Sequence, residues 1–256
     1  MSPLLEAAAL THPGKVRSHN EDCIAADARL GYAVLADGMG GHNAGEVASQ
    51  MAVELLTARL ASHCNARSAL DAARAEALIA EDAAFANAVL LEASRTNAEY
   101  DGMGTTLVAA LWHRDGVTFG NVGDSRLYML RRGELRQLTR DHSIVQEELE
   151  CGAISAEDAR FAPNRNVLTR AVGIDPDTQA DVRTCAVEAD DLYLLCSDGL
   201  TDMLTDDEVR ETLVSCRGRI GAGAQRLVER ANQSGGLDNI SVIVVRVVGF
   251  DAGAGA

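Results

Sequence analysis

The chain alternates twice between groups of short apolar runs and pairs of helical segments, and this order restricts the folds that it can adopt. Short runs rich in Val, Leu, Ile and Tyr favour β-strands. Such runs occur near residues 5–10 and 22–37, again within 105–138 and 180–197, and finally at 239–248. We predict strands at each of these places.

Two pairs of helices are predicted between these groups. Residues 44–63 place apolar side chains at helical spacing, and residues 67–95 are rich in Ala and free of Gly and Pro, which favours a long helix. Thr205 and Glu208 form a capping box that opens a third helix, and a fourth is predicted at 220–233. This order predicts an α+β fold, a four-layer α/β/β/α sandwich of two antiparallel sheets flanked by helices.

The remaining segments of the chain indicate how it is organised into domains. Three predicted strands follow one another between residues 105 and 138, which indicates an antiparallel meander. Residues 140–175 are polar with short helical pieces, and we interpret them as an inserted flap beside a site. No linker-like stretch divides the chain, so we predict a single domain at 1–250 and a disordered tail at 251–256.

Charge and composition exclude several classes of function. A net charge of −15 opposes binding to nucleic acid or to an anionic membrane, since both require a basic patch. No apolar stretch approaches the roughly 20 residues that span a bilayer. The six Cys are scattered without a Cys-x-x-Cys pair, and the amino terminus lacks a signal peptide pattern. We expect a soluble, cytoplasmic protein with reduced thiols, and a monomer by default.

Three aspartates, Asp37, Asp198 and Asp238, each stand at one end of an apolar run. A carboxylate at the rim of a core is costly unless a cation neutralises it, so three of them suggest a metal site. Asp-Gly is also a common turn dipeptide, and any one of these residues taken alone is better explained by a turn or a loop. Repetition of the pattern in distant parts of the chain favours the metal site.

Further charged residues lie near predicted strand ends. Arg17, Glu21 and Asp22 fall within six residues, and Asp124 follows a short apolar run; each alone is better explained by a solvated loop, or at Asp124 by a strand turn made by Gly123. Ligands that are all oxygen suit Mg²⁺ or Mn²⁺, and two such ions could activate water and clamp a phosphoryl group. The planar guanidinium of Arg17 could hold two phosphate oxygens, so the set predicts phosphoester hydrolysis.

Eight motifs strengthen this prediction because they occur in one order over residues 11–248. They are Arg17-Ser-x-Asn-Glu-Asp22, Ala36-Asp-Gly-Met-Gly-Gly-His42, Gly102-Met-Gly-Thr-Thr106, Gly120-Asn-Val-Gly-Asp-Ser-Arg126, Leu138-Thr-Arg-Asp-His142, Asn166-Val-Leu-Thr-Arg-Ala-Val-Gly173, Ser197-Asp-Gly-Leu-Thr-Asp202 and Asp238-Asn239. In these motifs the sequence closely resembles the metal-dependent protein serine/threonine phosphatases of the PP2C (PPM) family, in their bacterial form. The resemblance implies hydrolysis of phosphoserine and phosphothreonine in proteins, in opposition to a serine/threonine kinase.

The resemblance also implies roles for individual residues. Asp37 would bridge two Mn²⁺ or Mg²⁺ ions, and the carbonyl of Gly38 would complete one coordination shell. Asp198 and Asp238 would hold the first of these ions.

The remaining implied roles concern the second ion, a third ion and the phosphate. Glu21 and Asp22 would serve the second ion, directly or through water. Asp124, with help from Asp198, matches a third and weaker metal site. Arg17 matches the arginine that binds phosphate. The segment 140–175 corresponds to a variable flap that influences the choice of substrate.

One departure from the family pattern affects the expected mechanism. Animal members carry His directly after the Asp-Gly, whereas this chain has Met39 there. His42 follows three residues later, and we interpret it as a loop residue without a role in proton transfer. We therefore assign no side chain as general acid and expect a water to protonate the leaving group.

Other readings of the sequence remain open. Cys23 and Arg29 have the Cys-x5-Arg spacing of cysteine-dependent phosphatases, but Asp27 would repel phosphate there. Residues 102–106 invite comparison with a phosphate-binding loop but lack its Gly-Lys-Ser/Thr ending. The chain could also be a catalytically silent phosphoprotein-binding domain, or a metal-dependent hydrolase of small phosphoesters.

Overall fold

The computed structural model describes residues 2–41, 44–64, 70–159 and 161–251. The strands are β1 (Pro3–His12), β2 (Asp22–Asp27), β3 (Tyr32–Met39), β4 (Gly104–Thr105), β5 (Leu107–His113), β6 (Gly116–Val122), β7 (Arg126–Arg131), β8 (Glu134–Gln137), β9 (Asp181–Cys185), β10 (Leu192–Cys196) and β11 (Ile240–Phe250). The α-helices are α1 (Ala44–Cys64), α2 (Ala72–Thr96), α3 (Ile144–Glu150), α4 (Ala156–Ala159), α5 (Asp198–Thr201), α6 (Asp206–Ser215) and α7 (Ile220–Gln233).

The strands of the described residues form two antiparallel sheets. The first sheet has the order β1-β11-β10-β7-β8, and the second has the order β2-β3-β5-β6-β9, with the short β4 pairing with β3. One face of the second sheet, with residues of β3 and β5, packs against α1 and α2. One face of the first sheet, with residues of β7, β10 and β11, packs against α5, α6 and α7. The opposite faces of both sheets meet in a third apolar cluster. The predicted four-layer sandwich is confirmed.

Alternation of side chains along the strands produces this layering. In β10, Leu194 packs toward the helices, whereas Tyr193 and Leu195 point into the space between the sheets. Tyr193 meets Trp112 of the other sheet there, edge to face, with the ring centroids 5.5 Å apart. Both rings are fully buried, so the two sheets are joined by a large shared apolar contact.

The predicted meander over residues 105–138 is wrong. β5 pairs with β6 in the second sheet, whereas β7 pairs with β8 and β10 in the first, so the chain crosses between sheets at residues 123–125. The predicted strand region at 180–197 divides in the same way, since β9 joins β6 and β10 joins β7. β5 and β6 are buried on both faces, so their sequence pattern did not indicate which sheet each strand would join.

The predicted helices are present, with small shifts in their bounds. α2 begins at Ala72, where the Asp71 side chain accepts a hydrogen bond from the backbone of Arg74, while residues 65–69 lie outside the described residues. The capping box of Thr205 and Glu208 is formed. The single-turn helix α5 was not predicted from the sequence. Among the described residues, no helix is long and apolar enough to cross a bilayer.

The ends of the described chain lie side by side. β1 pairs with β11, and the backbone of Asp251 donates a hydrogen bond to the carbonyl of Ser2. Asp251 thus belongs to the described part of the predicted tail, and residues 252–256 lie outside it.

The segment 140–175 is attached to the sandwich near the crossover between the sheets. His142 donates its backbone N–H to the carbonyl of Gly123 (2.9 Å) and accepts the N–H of Gly123 on Nδ1 (3.1 Å). Ile144 N–H donates to Val167 O, and Thr169 N–H donates to His142 O, so the two ends of the segment are held together. Between them lie α3 and α4. Both helices are short, as the low apolar content of this segment predicted.

Candidate metal centre

Strand ends and loops from both sheets meet at one end of the sandwich and form a cleft. Asp37 lies near the end of β3, Asp124 lies in the crossover between β6 and β7, Asp198 opens α5 after β10, and Asp238 precedes β11. The cleft has a volume of about 220 Å³, and its lining includes Arg17, Glu21, Asp37, Gly38, Asp124, Asp198 and Asp238. The structure thus brings together residues that are far apart in the sequence.

Asp22 is the predicted site residue that does not line this cleft. It stands opposite Asp37 in the β2–β3 pair and is only 8% exposed. Ser197 donates its hydroxyl hydrogen bond to Asp22 Oδ2 (2.8 Å) instead of capping α5, and the same hydroxyl accepts the N–H of Ser241 (3.0 Å). Asp22 Oδ1 is buried and has no hydrogen-bond partner among the described residues. Asp22 therefore lies behind Asp37 with one unsatisfied oxygen.

Gly38 allows three segments to meet at the cleft. A Cβ at this position would lie 2.0 Å from the carbonyl oxygen of Gly45 in α1 and 2.7 Å from that of Glu21. The N–H of Gly38 donates to the Glu21 carbonyl at 3.0 Å. Any side chain at position 38 would therefore separate β3 from α1 and from the loop that carries Glu21.

The motif Gly102-Met-Gly-Thr-Thr106 fixes the backbone of Asp37. Thr106 accepts the N–H of Asp37 on its hydroxyl (3.0 Å) and donates its own N–H to the Asp37 carbonyl (2.8 Å). The Thr106 hydroxyl is also hydrogen bonded to that of Ser125, 2.7 Å away in the crossover beside Asp124. This threonine therefore links two of the cleft acids, and the motif serves this structural purpose rather than forming a phosphate-binding loop.

Asn239 fixes the loop that carries Arg17 and Glu21. Its side-chain oxygen accepts the N–H of Glu21 (2.8 Å), and its amide nitrogen donates to the carbonyls of Pro13 (3.1 Å) and His19 (2.9 Å). Asn239 is 4% exposed, so water cannot easily replace these bonds. In the sequence, Asn239 stands out only as the neighbour of Asp238, and its residue type does not indicate this role.

We expect the substitution Asn239→Ala to lower the free energy of unfolding by about 1–3 kcal/mol, because buried polar groups of the loop lose their partners. Activity should fall as well, since Arg17 and Glu21 lose their fixed positions. Urea denaturation and kcat/KM on a phosphopeptide would measure the two effects. Gln233→Ala, on the exposed end of α7, is the control. Unchanged stability in Asn239→Ala would contradict this role.

Burial and mutual repulsion make the cleft acids unfavourable as free carboxylates. Burial raises the pKa of Asp37 well above its usual value, and the next causes are the charges of four neighbours, Asp22, Asp198, Asp124 and Asp238. Burial likewise raises the pKa of Asp198, of Asp124 to about 7, and of Asp22 to about 6. Asp37 and Asp198 keep part of their surface open to the cleft, so a ligand could reach them.

This arrangement fits a hard divalent cation. Across the described residues, the only salt bridge of the cleft acids joins Arg17 Nη2 to Asp238 Oδ2 at 2.7 Å. Asp37 and Asp198 have several like charges around them, and Asp124 has Asp141 and Asp202 nearby as well as Arg126; a cation would remove the repulsion among these acids. The acids of the cleft offer only oxygen ligands, which suits Mg²⁺ or Mn²⁺.

The acids do not form a closed coordination shell. Among the residues that the structure describes, no three Asp, Glu, His or Cys side chains are arranged as a metal-binding cluster. Arg17 holds one oxygen of Asp238, although the resemblance assigns the arginine to phosphate and the aspartate to metal. Arg17 is 52% exposed, so it can leave this partner without unpacking a core.

The thiol alternative receives no support from the structure. Cys23 lies within β2, and burial raises the pKa of its thiol. A nucleophilic cysteine requires a lowered pKa and a loop of backbone amides around it. The Cys-x5-Arg spacing of Cys23 and Arg29 therefore has no catalytic meaning here.

Comparison with known proteins agrees with this geometry. The sequence profile described as Protein phosphatase 2C matches residues 15–229. The chain belongs to the protein phosphatase 2C family. It is 40% identical to the serine/threonine phosphatase stp of Listeria welshimeri over 92% of this chain and 93% of that protein.

Solved structures of PP2C-family proteins share the fold. The serine/threonine phosphatase PstP/Ppp of Mycobacterium tuberculosis superposes with a TM-score of 0.85 at 37% identity, over 95% of this chain and 98% of that one. A PstP catalytic domain in complex with two manganese ions gives a TM-score of 0.84 at 36% identity, over 96% of this chain and 99% of that one. The predicted family, fold and enzyme class, a protein phosphatase of the PP2C type, are confirmed.

Proposed function

We propose that this PP2C-family chain removes phosphate from phosphoserine and phosphothreonine in proteins with the help of Mn²⁺ or Mg²⁺. The observation that carries this proposal is one cleft in which buried, mutually repelling carboxylates converge beside an exposed arginine. The relatives that bear serine/threonine phosphatase names support the choice of substrate.

The residues that would hold the two main ions come from both sheets. Asp37 is central because the charges of four other acids act on it, which supports its assignment as the bridge, with the carbonyl of Gly38 beside it. Asp198 and Asp238 are assigned to the first ion. The bound ions would activate water and neutralise charge on the phosphoryl oxygens.

The other assignments rest on position in the cleft. Glu21 lines it, and Asp22 lies behind Asp37, so we assign both to the second ion, with Asp22 acting through water or by orienting Asp37. Asp124 and Asp198 repel each other, which supports a third, weaker site between them.

Arg17 would bind the phosphate. Its guanidinium can place two N–H groups on two phosphate oxygens, provided that it leaves Asp238. If Asp238 holds a metal ion, its carboxylate is less available to Arg17, which favours this release. Met39 lines the cleft at the position where animal members carry His, and its thioether has no proton to give. We assign no described side chain as general acid.

The direct test is release of phosphate from phosphoserine and phosphothreonine peptides by the purified protein. We expect activity with Mn²⁺ or Mg²⁺, complete loss in excess chelator, recovery when metal is restored, and resistance to thiol alkylation. A metal-loaded protein that is inert on phosphopeptides and on a small aryl phosphate would be a silent binding domain. Higher kcat/KM on metabolites than on phosphopeptides would indicate a small phosphoester hydrolase.

Several broader assignments belong to the same proposal. The described chain would act as one domain, with the segment 140–175 as its flap, and as a monomer that opposes a serine/threonine kinase. Cytoplasmic location is supported by the cysteines whose side chains are described, which are free thiols.

A further inference from the structure

A second cavity opens directly beside the metal cleft. It has a volume of about 610 Å³ and is lined mainly by residues 166–178 together with Met39. We call it the side groove. Met39, Asn166 and Leu168 line both the groove and the cleft, so the two are continuous. A phosphoresidue in the cleft would therefore place the neighbouring part of its chain at the mouth of the groove.

The wall of the side groove is apolar and open to solvent. Val167 is 46% exposed and Ile174 is 50% exposed, and both of these large aliphatic side chains line the groove. Met39 and Ile174 converge over Gly104, since a Cβ there would lie 3.2 Å from the methyl of Met39 and 2.8 Å from that of Ile174. These side chains leave an apolar surface that an aliphatic side chain could cover.

The rim of the side groove carries net negative charge. Asp175 and Asp177 are exposed, and neither forms a salt bridge within the described part of the chain. Arg170, the cation of the groove, is occupied by Asp181 Oδ1 at 2.8 Å. The rim thus complements a basic residue.

The groove is fixed in shape before any ligand binds. The buried side chain of Asn87 in α2 accepts the N–H of Gly173 (2.7 Å) and donates to the carbonyl of Asp175 (2.8 Å). Val172 and Thr105 exchange backbone hydrogen bonds of 2.9 and 3.0 Å. A preformed pocket loses little conformational entropy on binding.

From these observations we infer that the side groove is a substrate subsite: it accepts an aliphatic residue adjacent to the phosphoresidue and a basic residue beyond it. This inference rests on the proposed phosphatase function and specifies its preferred phosphopeptides. The phosphate and its cleft set the chemistry, while the groove selects the flanking sequence.

The test compares phosphothreonine peptides with symmetrical flanks, so that the direction of binding does not matter. One peptide carries Leu next to the phosphoresidue and Arg beyond it on both sides, a second carries Ser and Arg, and a third carries Leu and Glu. Replacing Leu with Ser should lower kcat/KM about 5- to 20-fold, as expected for an aliphatic side chain that loses its buried surface. Replacing Arg with Glu should lower it about 3- to 10-fold, and less at high salt.

Variants of the groove should remove these preferences selectively. Asp175→Asn with Asp177→Asn should abolish the preference for Arg, and Ile174→Ala should reduce the preference for Leu. Asn at position 175 keeps the acceptor for the N–H of residue 177, so the local turn is preserved. The matched control is Glu211→Gln with Glu229→Gln, which removes the same charge from exposed positions on α6 and α7.

Hydrolysis of a small aryl phosphate distinguishes a failure of the proposed subsite from a failure of the proposed phosphatase function. All groove variants should keep their activity on it, because it has no flanking residues. Equal kcat/KM for the three peptides, or a loss of preference in the control variant as large as in Asp175→Asn with Asp177→Asn, would overturn the subsite. Absence of activity on every phosphopeptide and on the aryl phosphate would instead refute the phosphatase function itself.

Discussion

Asp37→Asn is expected to lower kcat/KM on a phosphopeptide by more than about 100-fold, since loss of a residue that merely orients a metal ligand already costs about 10- to 100-fold. Asn keeps the shape of the side chain but not the charge that would bridge two cations. Isothermal titration with Mn²⁺ should show weaker binding in parallel. The same two measurements on Asp124→Asn should show a smaller loss, because that residue is assigned to the third and weaker site.

Stability in chelator provides the control for this experiment. In the metal-free protein, the charge of Asp37 is opposed by four neighbouring carboxylates. Removing it relieves repulsion, so metal-free Asp37→Asn should melt at a temperature no lower than that of the metal-free wild type. A variant that is unstable in chelator would have lost activity through unfolding. A stable variant with wild-type kcat/KM would exclude Asp37 from the centre.

Arg17→Ala is expected to lower kcat/KM by about 10- to 100-fold, corresponding to the loss of charge-assisted hydrogen bonds worth about 1.5–3 kcal/mol. Arg17→Lys should recover only part of the loss, because an ammonium group cannot hold two oxygens in a planar fork. Steady-state kinetics and the inhibition constant of inorganic phosphate would both measure the effect.

The pairing of Arg17 with Asp238 gives these variants a second readout. Arg17 now holds an oxygen of Asp238 at 2.7 Å. Without it, Asp238 is free for a cation, so Arg17→Ala should bind Mn²⁺ at least as tightly as the wild type while binding phosphate more weakly. Arg226→Ala, at an exposed position on α7, is the control. Weaker binding of Mn²⁺ together with unchanged phosphate inhibition would contradict the assigned role.

The sequence predicted the positions of the cleft acids better than their surroundings. Asp37 follows an apolar run and Asp238 precedes one. Such a residue is expected at the end of a strand, whichever sheet that strand joins. Asp198 also follows a strand, but it opens α5, which the sequence analysis did not predict. A helix of a single turn leaves no periodic pattern in a sequence.

Contacts between residues that are distant in the sequence could not be predicted from local sequence patterns. The assignment of β7 and β10 to the first sheet depends on which neighbours they contact, and these fully or largely buried strands carry no sign of that choice. Asn239 bonds the loop at Glu21 from 218 residues away, and Ser197 bonds Asp22, at the start of β2, from 175 residues away. Their residue types alone are those of ordinary loops, so nothing in the local sequence distinguishes them.

The position of β11 has a consequence for the order in which this protein can fold during synthesis. β11 lies between β1 and β10, although β1 is made first and β11 last among the described strands. The strand that opens the chain therefore has no partner in its sheet until residues beyond 240 have left the ribosome. Asp238 and Asn239 directly precede β11, so a growing chain gains these two residues together with the partner strand of β1. The pairing of β1 and the presence of Asp238 in the cleft therefore depend on the same late segment of the described chain.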